Sequence, residues 1–463
     1  MVGAFHKVKF AFLWAILSIL AVAPACCEAM EHRPPLPFDQ WVLGPDRHDF
    51  AWKVHLLTPQ LTFQQRYLEQ VRVTMPSDTL KNGSAQRDLH FLVKVADAEG
   101  KWFEPESYTH YSVPLNLDNK HELQFGVALY IHPGQYTFAV LAYDSVSGQG
   151  NLWRGPLQVS GVKNDPLPRL DRSLPVIEFI QSFSQDAVSA DSENWLHGSR
   201  RRVGRWIKPL LNNPAQPAYV LGGSENNGET WDLAGEQPWL PVTTPYPVHL
   251  DLILNFSERV EPHLMYEDPS HIYRRNTGRL LQIGNLLGHL QVTNGCIHLG
   301  SLDTMRMQTM LEPVDAESIN WHEFEELIRK LDRNTIEIGK LETRNNASAF
   351  FRDSLVDLMS ESGPCEFGDA QPLHVILIAV SSGLQFPSGT RIEYVRPEND
   401  CKCRIYYLRP QNGVPELEDD LEKMLKPLKA HRLSPASPLE FRRQLAALVS
   451  DIEAASRAKA AIH

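Results

Sequence analysis

Val248-His-Leu-Asp-Leu-Ile-Leu-Asn-Phe-Ser-Glu-Arg259 decides how the second half of this chain is read. Its first seven positions are almost continuously apolar or β-prone, enough for one central strand of a parallel sheet buried on both faces. The run then breaks into Asn255-x-Ser257-x-Arg259. In open α/β sheets ligands bind outside the carboxyl ends of the strands, so these three residues form the first candidate site.

Downstream, strands and helices alternate. Leu280, Ile283, Leu287 and Leu290 recur at helical spacing, Gly295 to Gly300 reads as a short strand, and a helix opens at Asn320 with Glu323 three residues on. Phe351, Leu355 and Leu358 mark another helix. Leu373 to Val380 is a second fully buried strand by composition, ending in Ser381-Ser382-Gly383, and Cys403 to Leu408 is a third. A helix is expected from about Glu416 to Lys426. Ser437-Pro-Leu-Glu440 opens the last one, because serine at the cap, proline at the first turn and glutamate at the third position satisfy the free amides together. Phe441, Leu445, Leu448 and Ile452 are its buried stripe. Residues 246–460 therefore read as a doubly wound α/β domain.

Upstream, residues 50–162 read as a β-sandwich. Val54 to Leu57, Gln70 to Thr74, Leu89 to Val95, Leu123 to Leu129, Gln135 to Tyr143 and Gly155 to Ser160 are short β-rich runs separated by turn signals such as Asn82-Gly83 and Pro133-Gly134. The last hairpin resembles those of immunoglobulin-like and fibronectin-type-III-like domains. Residues 163–245 are expected to be an irregular linker packing on the α/β domain. Asp165-Pro-Leu-Pro-Arg169 is a linker signal, and Trp195 to Leu211 is a candidate helix carrying Arg200, Arg201, Arg202 and Arg205 as a solvated face.

The chain has 463 residues, too many for one core, with 43% hydrophobic and 22% charged residues, an ordinary globular composition. A net charge of −11 excludes a broadly basic nucleic-acid binder. Residues 1–29 have the three parts of a secretory signal: His6, Lys7 and Lys9, an apolar run from Phe10 to Val22, and small residues at Ala23-Pro-Ala25 or Cys27-Glu-Ala29. A secreted, periplasmic or cell-envelope location is expected. Membrane contact would require lipid attachment at Cys26, in a crude lipobox interrupted by Pro24. Of six cysteines, Cys296, Cys365, Cys401 and Cys403 survive removal of the leader, and in an oxidising space thiols tend to pair. Cys401-Lys-Cys403 lacks a second Cys/His pair at zinc-finger spacing, so no metal is expected there.

The strand and helix order with its polar break resembles a von Willebrand factor A domain, over roughly Tyr246 to Ala460. More narrowly it resembles the secreted von Willebrand factor A-related proteins of acidobacterial genomes. The resemblance implies a six-stranded, mostly parallel sheet. It also implies a metal-ion-dependent adhesion site, whose Asp-x-Ser-x-Ser falls on Asn255, Ser257 and Arg259, whose last Asp falls on Ser382 beside Ser381, and whose Thr falls within Arg344 to Ser348. Only Ser257 matches outright. Magnesium and calcium want hard, mostly anionic oxygens, and here both carboxylates are replaced by neutral groups while a guanidinium enters. The rim is expected to hold no divalent ion and to serve as a partner-binding surface. The same topology places Cys365 beside Cys401 or Cys403 as disulfide candidates, with Cys296 a buried small hydrophobe.

No nucleophile elbow, phosphate loop, zincin motif or dinucleotide fingerprint occurs in the sequence. Cys296 and His298 stand two apart on one face of a strand, the basis of a minor thiol-enzyme alternative. The sequence favours an exported, non-catalytic interaction module without a cofactor, gripping an unidentified extracytoplasmic protein. The alternative is an envelope structural or assembly factor that binds through its β-sandwich.

Overall fold

The computed structural model describes residues 35–76, 87–113, 121–168, 170, 174–180, 206–211, 236–257, 269–332, 346–360, 367, 371–381, 383–386, 390–396, 403–411 and 419–462. The expected leader with Cys26, the basic cluster at 200–205, Arg259, Ser382, Cys365 and Cys401 lie outside them.

The N-terminal half is two antiparallel sheets. Its strands are β1 (Arg47–His48), β2 (Lys53–Leu56), β3 (Gln60–Leu61), β4 (Tyr67–Pro76), β5 (Arg87–Ala96), β6 (Ser107–Val113), β7 (His121–Ile131), β8 (Gly134–Asp144), β9 (Gly150–Val159), β10 (Ile177–Phe179) and β11 (Trp206–Leu211). One sheet runs β1-β9-β8-β5-β6; the other runs β10-β7-β4-β2, with β11 also on β7 and β3 on β4. Period-two alternation on β4 sends Val71, Val73 and Met75 into the core, where they join Phe91, Val93, Phe125, Phe138 and Val140. Phe91 and Phe125 stack with centroids 4.2 Å apart. The short helix α1 (Phe38–Trp41) covers the outside of the first sheet, where Phe38 packs with Leu92, Leu141 and Leu152.

Of the segments between the halves, one departs from the sequence expectation and a second, within Pro175 to Ile180, where the sequence allows a short strand or a helix, is a strand. Trp206–Leu211, read as part of a candidate helix, is a strand paired antiparallel with His121 to Gly126. Pro209 explains this: inside a helix it would remove a backbone hydrogen bond and clash with the preceding turn, whereas an edge strand accommodates it. Ile177–Phe179 pairs with Leu129 to Ile131, so both segments extend the sandwich instead of packing only on the α/β domain. The next strand, β12 (Leu240–Val242), instead pairs parallel with β14 (Leu290–Val292) beside the second sheet system.

The C-terminal half is built on β13 (Val248–Asn255), β15 (Gly295–Asp303), β16 (Gln308–Asp315), β17 (Leu373–Val380), β18 (Arg404–Leu408) and β19 (His431–Leu433). These run in the order β16-β15-β13-β17-β18-β19. Every pairing is parallel except that of the edge strand β16. Between them lie α2 (Pro269–Gly288), α3 (Trp321–Asp332), α4 (Ala347–Ser360) and α5 (Asp420–Met424), and α6 (Pro438–Ala460) follows the last strand.

All eight residues of β13 are buried, as a strand covered on both faces requires. Leu250, Leu252 and Leu254 share a core with Leu280, Ile283 and Leu287 of α2 and with Phe441, Leu445 and Leu448 of α6. On the other face Ile253, Ile376 and Ile378 meet Phe351 and Leu355 of α4, with Leu421 and Met424 of α5. At about 1.5–3 kcal/mol for each fully buried aliphatic side chain, this central strand is where the domain's stability concentrates. Gly284 lets α2 come close, since a Cβ there would stand 2.6 Å from Leu254 Cδ1. The last helix starts as its sequence predicts. Ser437 Oγ accepts from the Glu440 amide at 3.2 Å, and Glu440 Oε2 accepts from the Ala436 amide at 2.8 Å.

The halves are joined through a buried arginine. Arg442 of α6 donates from Nε and Nη2 to the two oxygens of Asp165, at 2.7 and 2.6 Å, and from Nη2 to the Leu167 carbonyl at 3.1 Å. Phe63 packs on Phe441 with centroids 5.9 Å apart, and Gln65 Nε2 donates to the Pro438 carbonyl at 3.2 Å. Phe63, Leu167 and Leu170 thereby belong to the core of the α/β half. The proline-flanked segment at Asp165 is a fixed contact.

Candidate functional site

Strand order reverses about β13: the chain goes to β15 on one side and to β17 on the other. The carboxyl ends of β13, β15 and β17 therefore frame the crevice where open α/β sheets take ligands. Asn255 ends β13, Asp303 ends β15, and Ser381 follows β17. Asn255, Ser257, Asp303, Thr304 and Ser381 are all buried.

Ser257 is the hub of this rim. Its Oγ donates to Asn255 Oδ1 at 2.5 Å and accepts from the amides of Thr304 at 2.5 Å and Met305 at 3.3 Å. Asn255 Oδ1 also accepts from the amides of Ser257 and Thr304, at 3.2 and 3.3 Å. Ser381 Oγ donates to the Ser257 carbonyl at 2.8 Å, which ties the end of β17 to the loop after β13. The structure thus brings Asn255, Ser257 and Ser381 together.

Two rim residues escaped the sequence reading. The apolar pattern ends at Gly300, whereas the strand runs on to Asp303. Its Oδ1 lies 3.4 Å from Ser257 Oγ and accepts from the Arg306 amide at 3.0 Å, while Oδ2 pairs with Arg306 Nη1 at 3.0 Å. Thr304, next in the chain, supplies the amide that both Asn255 and Ser257 hold. The signal was present in Ser301-Leu-Asp-Thr304, a polar break of the same kind as that after β13.

Beside the rim, Asp419 fixes the turn after Ser381. Its Oδ1 accepts from the Leu384 amide at 3.2 Å and its Oδ2 from Arg409 Nη1 at 3.1 Å and from the Tyr407 hydroxyl. Burial, reinforced by the Asp419 charge, pushes the Tyr407 hydroxyl well above the ordinary tyrosine range, so it stays a donor. Asp303 and Asp419 are each paired with an arginine. Asn255 Nδ2 and Thr304 Oγ1 are buried without a hydrogen-bond partner among the described residues.

The cysteines correct one expectation. Cys296, read as a buried small hydrophobe or as the thiol of a minor enzymatic alternative, is disulfide-bonded and only partly buried, so it offers no free nucleophile. Cys403 is disulfide-bonded too. Two strands separate β15 from β18, a span of about 14 Å at the usual strand spacing. No single bridge crosses that distance, so the two half-cystines belong to different disulfides. His298, the other half of the supposed pair, faces His249, with Nδ1 3.0 Å from His249 Nε2.

No protein-family model matches the chain, and no curated protein matches it. Among solved structures, the one described as "X-ray structure of Northeast Structural Genomics Consortium target SoR45" matches at 13% identity with a TM-score of 0.15, covering 25% of this chain and 92% of that one. Among the described residues no helix is long and apolar enough to cross a membrane.

Proposed function

We propose that this chain is an exported, non-catalytic interaction module whose C-terminal half is a divergent von Willebrand factor A-like domain, with a rim that binds its partner without a divalent ion. Numbered along the sheet, the strand order β16-β15-β13-β17-β18-β19 is 3-2-1-4-5-6 with one antiparallel edge, which supports the A-type reading. The N-terminal half, two antiparallel sheets packed face to face, supports an immunoglobulin-like or fibronectin-like sandwich. Disulfide-bonded Cys296 and Cys403 support export into an oxidising space.

The observation that carries the rim reading is the use of its oxygens. Asn255 Oδ1 and Ser257 Oγ are filled as acceptors by four contacts from the amides of Ser257, Thr304 and Met305, and Asp303, a carboxylate beside them among the described residues, is paired with Arg306. A cation entering here would have to break those bonds and meet a guanidinium. These buried groups brace the loops at the strand ends, and partly exposed side chains such as Arg306 are what those loops offer to a protein surface.

The test has two parts. Calorimetric titration of the full chain with magnesium and calcium is expected to give no heat from the rim in the micromolar range, and a signal lost in Ser257→Ala would overturn the reading. A photo-crosslinking residue placed at Arg306, beside the rim, is expected to capture envelope proteins from the native compartment. Capture only from Val146, exposed on the sandwich, would favour the envelope factor that binds through its β-sandwich.

A further inference from the structure

The opposite end of the same sheet holds a second group of polar side chains. Register pairs His249 of β13 with Cys296 of β15 and with His374 of β17, and pairs Asp251 with His298. Paired residues on neighbouring strands, and residues two apart on one strand, share a face. His249, Asp251, His298 and His374 therefore converge at the amino ends of three adjacent strands. His249, Asp251 and His298 are buried, and His374 is mostly so.

The distances are those of a cation cage. His249 Nε2 lies 3.0 Å from His298 Nδ1 and 3.3 Å from Asp251 Oδ1, and His298 Nδ1 lies 3.8 Å from the same oxygen. Tetrahedral zinc with nitrogen and oxygen ligands at ~2.0–2.1 Å sets its ligand atoms about 3.4 Å apart. The other oxygen of Asp251 meets His374 Nε2 at 2.5 Å. Rings of His249 and His374 stack at 5.0 Å and 8°.

We propose that His249 Nε2, His298 Nδ1 and Asp251 Oδ1 bind a zinc-class divalent transition metal, with His374 as the positioning residue that orients the Asp251 carboxylate. Hydrogen bonding alone serves this arrangement poorly. A neutral His249 has at most one hydrogen on Nε2, yet that atom faces both His298 and Asp251; one cation in the triangle satisfies all three atoms together. Imidazole and carboxylate suit zinc, nickel, copper and cobalt better than magnesium or calcium, which favour all-oxygen sets. A histidine or carboxylate held by an outer partner is the usual support of such a site, and His374 on Asp251 supplies it. This inference stands apart from the rim reading, which concerns the other end of the strands.

The sandwich offers an internal control. Asp88, His90 and His110 also lie close together, with His90 Nδ1 bonded to the Tyr108 hydroxyl at 2.9 Å and His110 Nε2 standing 2.8 Å from Asp88 Oδ1.

The experiment uses the full chain, stripped with a chelator, its disulfides intact. Titration with zinc by calorimetry and with cobalt by visible absorption is expected to give one ion per chain at this site, with the intense d–d bands of a tetrahedral nitrogen and oxygen environment. His298→Ala is expected to abolish both signals, His374→Ala to weaken zinc binding by about 10–100-fold, and His110→Ala to leave both unchanged. Wild-type chain that gives neither zinc heat nor a tetrahedral cobalt spectrum overturns the proposal whether or not the variants fold. Loss of the signals in His110→Ala with retention in a folded His298→Ala overturns it equally.

Discussion

The two ends of β13 carry polar side chains of similar number and opposite character. At the carboxyl end, Asn255 and Ser257 are neutral, their oxygens are filled by backbone amides, and the nearby Asp303 is balanced by Arg306. At the amino end, Asp251 is shared by His249 and His374, and three imidazoles crowd around one carboxylate. Buried polar groups persist only where partners satisfy them. The rim meets that demand from its own loops for the acceptors Asn255 Oδ1 and Ser257 Oγ, and leaves Asn255 Nδ2 and Thr304 Oγ1 without a partner among the described residues. The amino-end cluster, the foot of the sheet, meets it with groups drawn from three strands, and the Asp315 charge of β16 also acts on His298.

The largest expected effect tests that contrast directly. Asp251→Ala strips a buried carboxylate from two histidines and is expected to destabilise the chelated protein by about 3–5 kcal/mol. Ser257→Ala takes the acceptor from the Met305 amide and leaves the Thr304 amide only its longer bond to Asn255 Oδ1, and is expected to cost about 1–3 kcal/mol. Urea unfolding in the presence of a chelator compares them, and equal costs would erase the asymmetry. The foot should also be acid-sensitive. Burial opposes charge on both groups, but hydrogen bonds from His249 and His374 leave Asp251 below its ordinary value, and burial leaves His298 below 6.5. Both folded-state values are depressed, so the foot's stabilisation is present above pH 6.5. It is lost first as pH falls through the His298 value, and the Asp251 part goes only below 3.8.

A third buried carboxylate, in the sandwich, sharpens the comparison because among the described residues neither an arginine nor a histidine contributes to its shift. Burial raises Glu69 to about 8, against partial help from the Gln70 and Leu57 amides. Its folded value lies above the unfolded one, so its contribution is fully present below pH 4.5 and is lost as pH rises through 8. Glu69→Gln, which mimics the protonated form, is expected to raise stability at pH 9 by a few kcal/mol on the order of the shift, and to change little at pH 4. Thermal unfolding at the two pH values measures it. A pH-independent effect would mean that Glu69 is ionised without strain.

What the sequence made legible follows from where its signals are local. Ser437-Pro-Leu-Glu440 and the continuous apolar runs of β13 and β17 are decided by neighbours in the chain, and the structure places them there. The edge strand Gln308–Asp315 passed unnoticed, because its residues are mostly exposed or half-buried and Pro313 interrupts the pattern. Trp206–Leu211 was misread because its identity as a strand is set by pairing with β7 rather than by its own periodicity. The foot was invisible for a similar reason. Each of its histidines sits alone in an apolar run, and only parallel register brings His249, His298 and His374 side by side across separations of 49 and 125 positions. The hint that survives in the sequence is positional: histidine is the second residue of both Val248–Asn255 and Leu373–Val380.

The smallest predicted effect asks whether the rim can be turned back into something like the foot. Asn255→Asp restores a carboxylate at the end of β13, where Oδ1 keeps its role as acceptor for Ser257 and Thr304 while the partnerless Nδ2 is replaced by a second oxygen. Removing an unpaired buried donor favours the change; placing a negative charge near Asp303, which already shares Arg306, opposes it. The charge term is the larger in a buried setting, so the variant is expected to be less stable than the parent by about 1 kcal/mol in a chelator. It is also expected to recover part of that loss on adding millimolar magnesium, because two carboxylates around one serine begin to resemble a hard-cation site. Recovery with magnesium in the variant and none in the parent would mean that the rim differs from an ion-binding edge mainly by charge. No recovery in either would mean that the amide-filled oxygens of Ser257 and residue 255 block the ion whatever the charge, and that the contrast between the two ends of the strand is built into the loops.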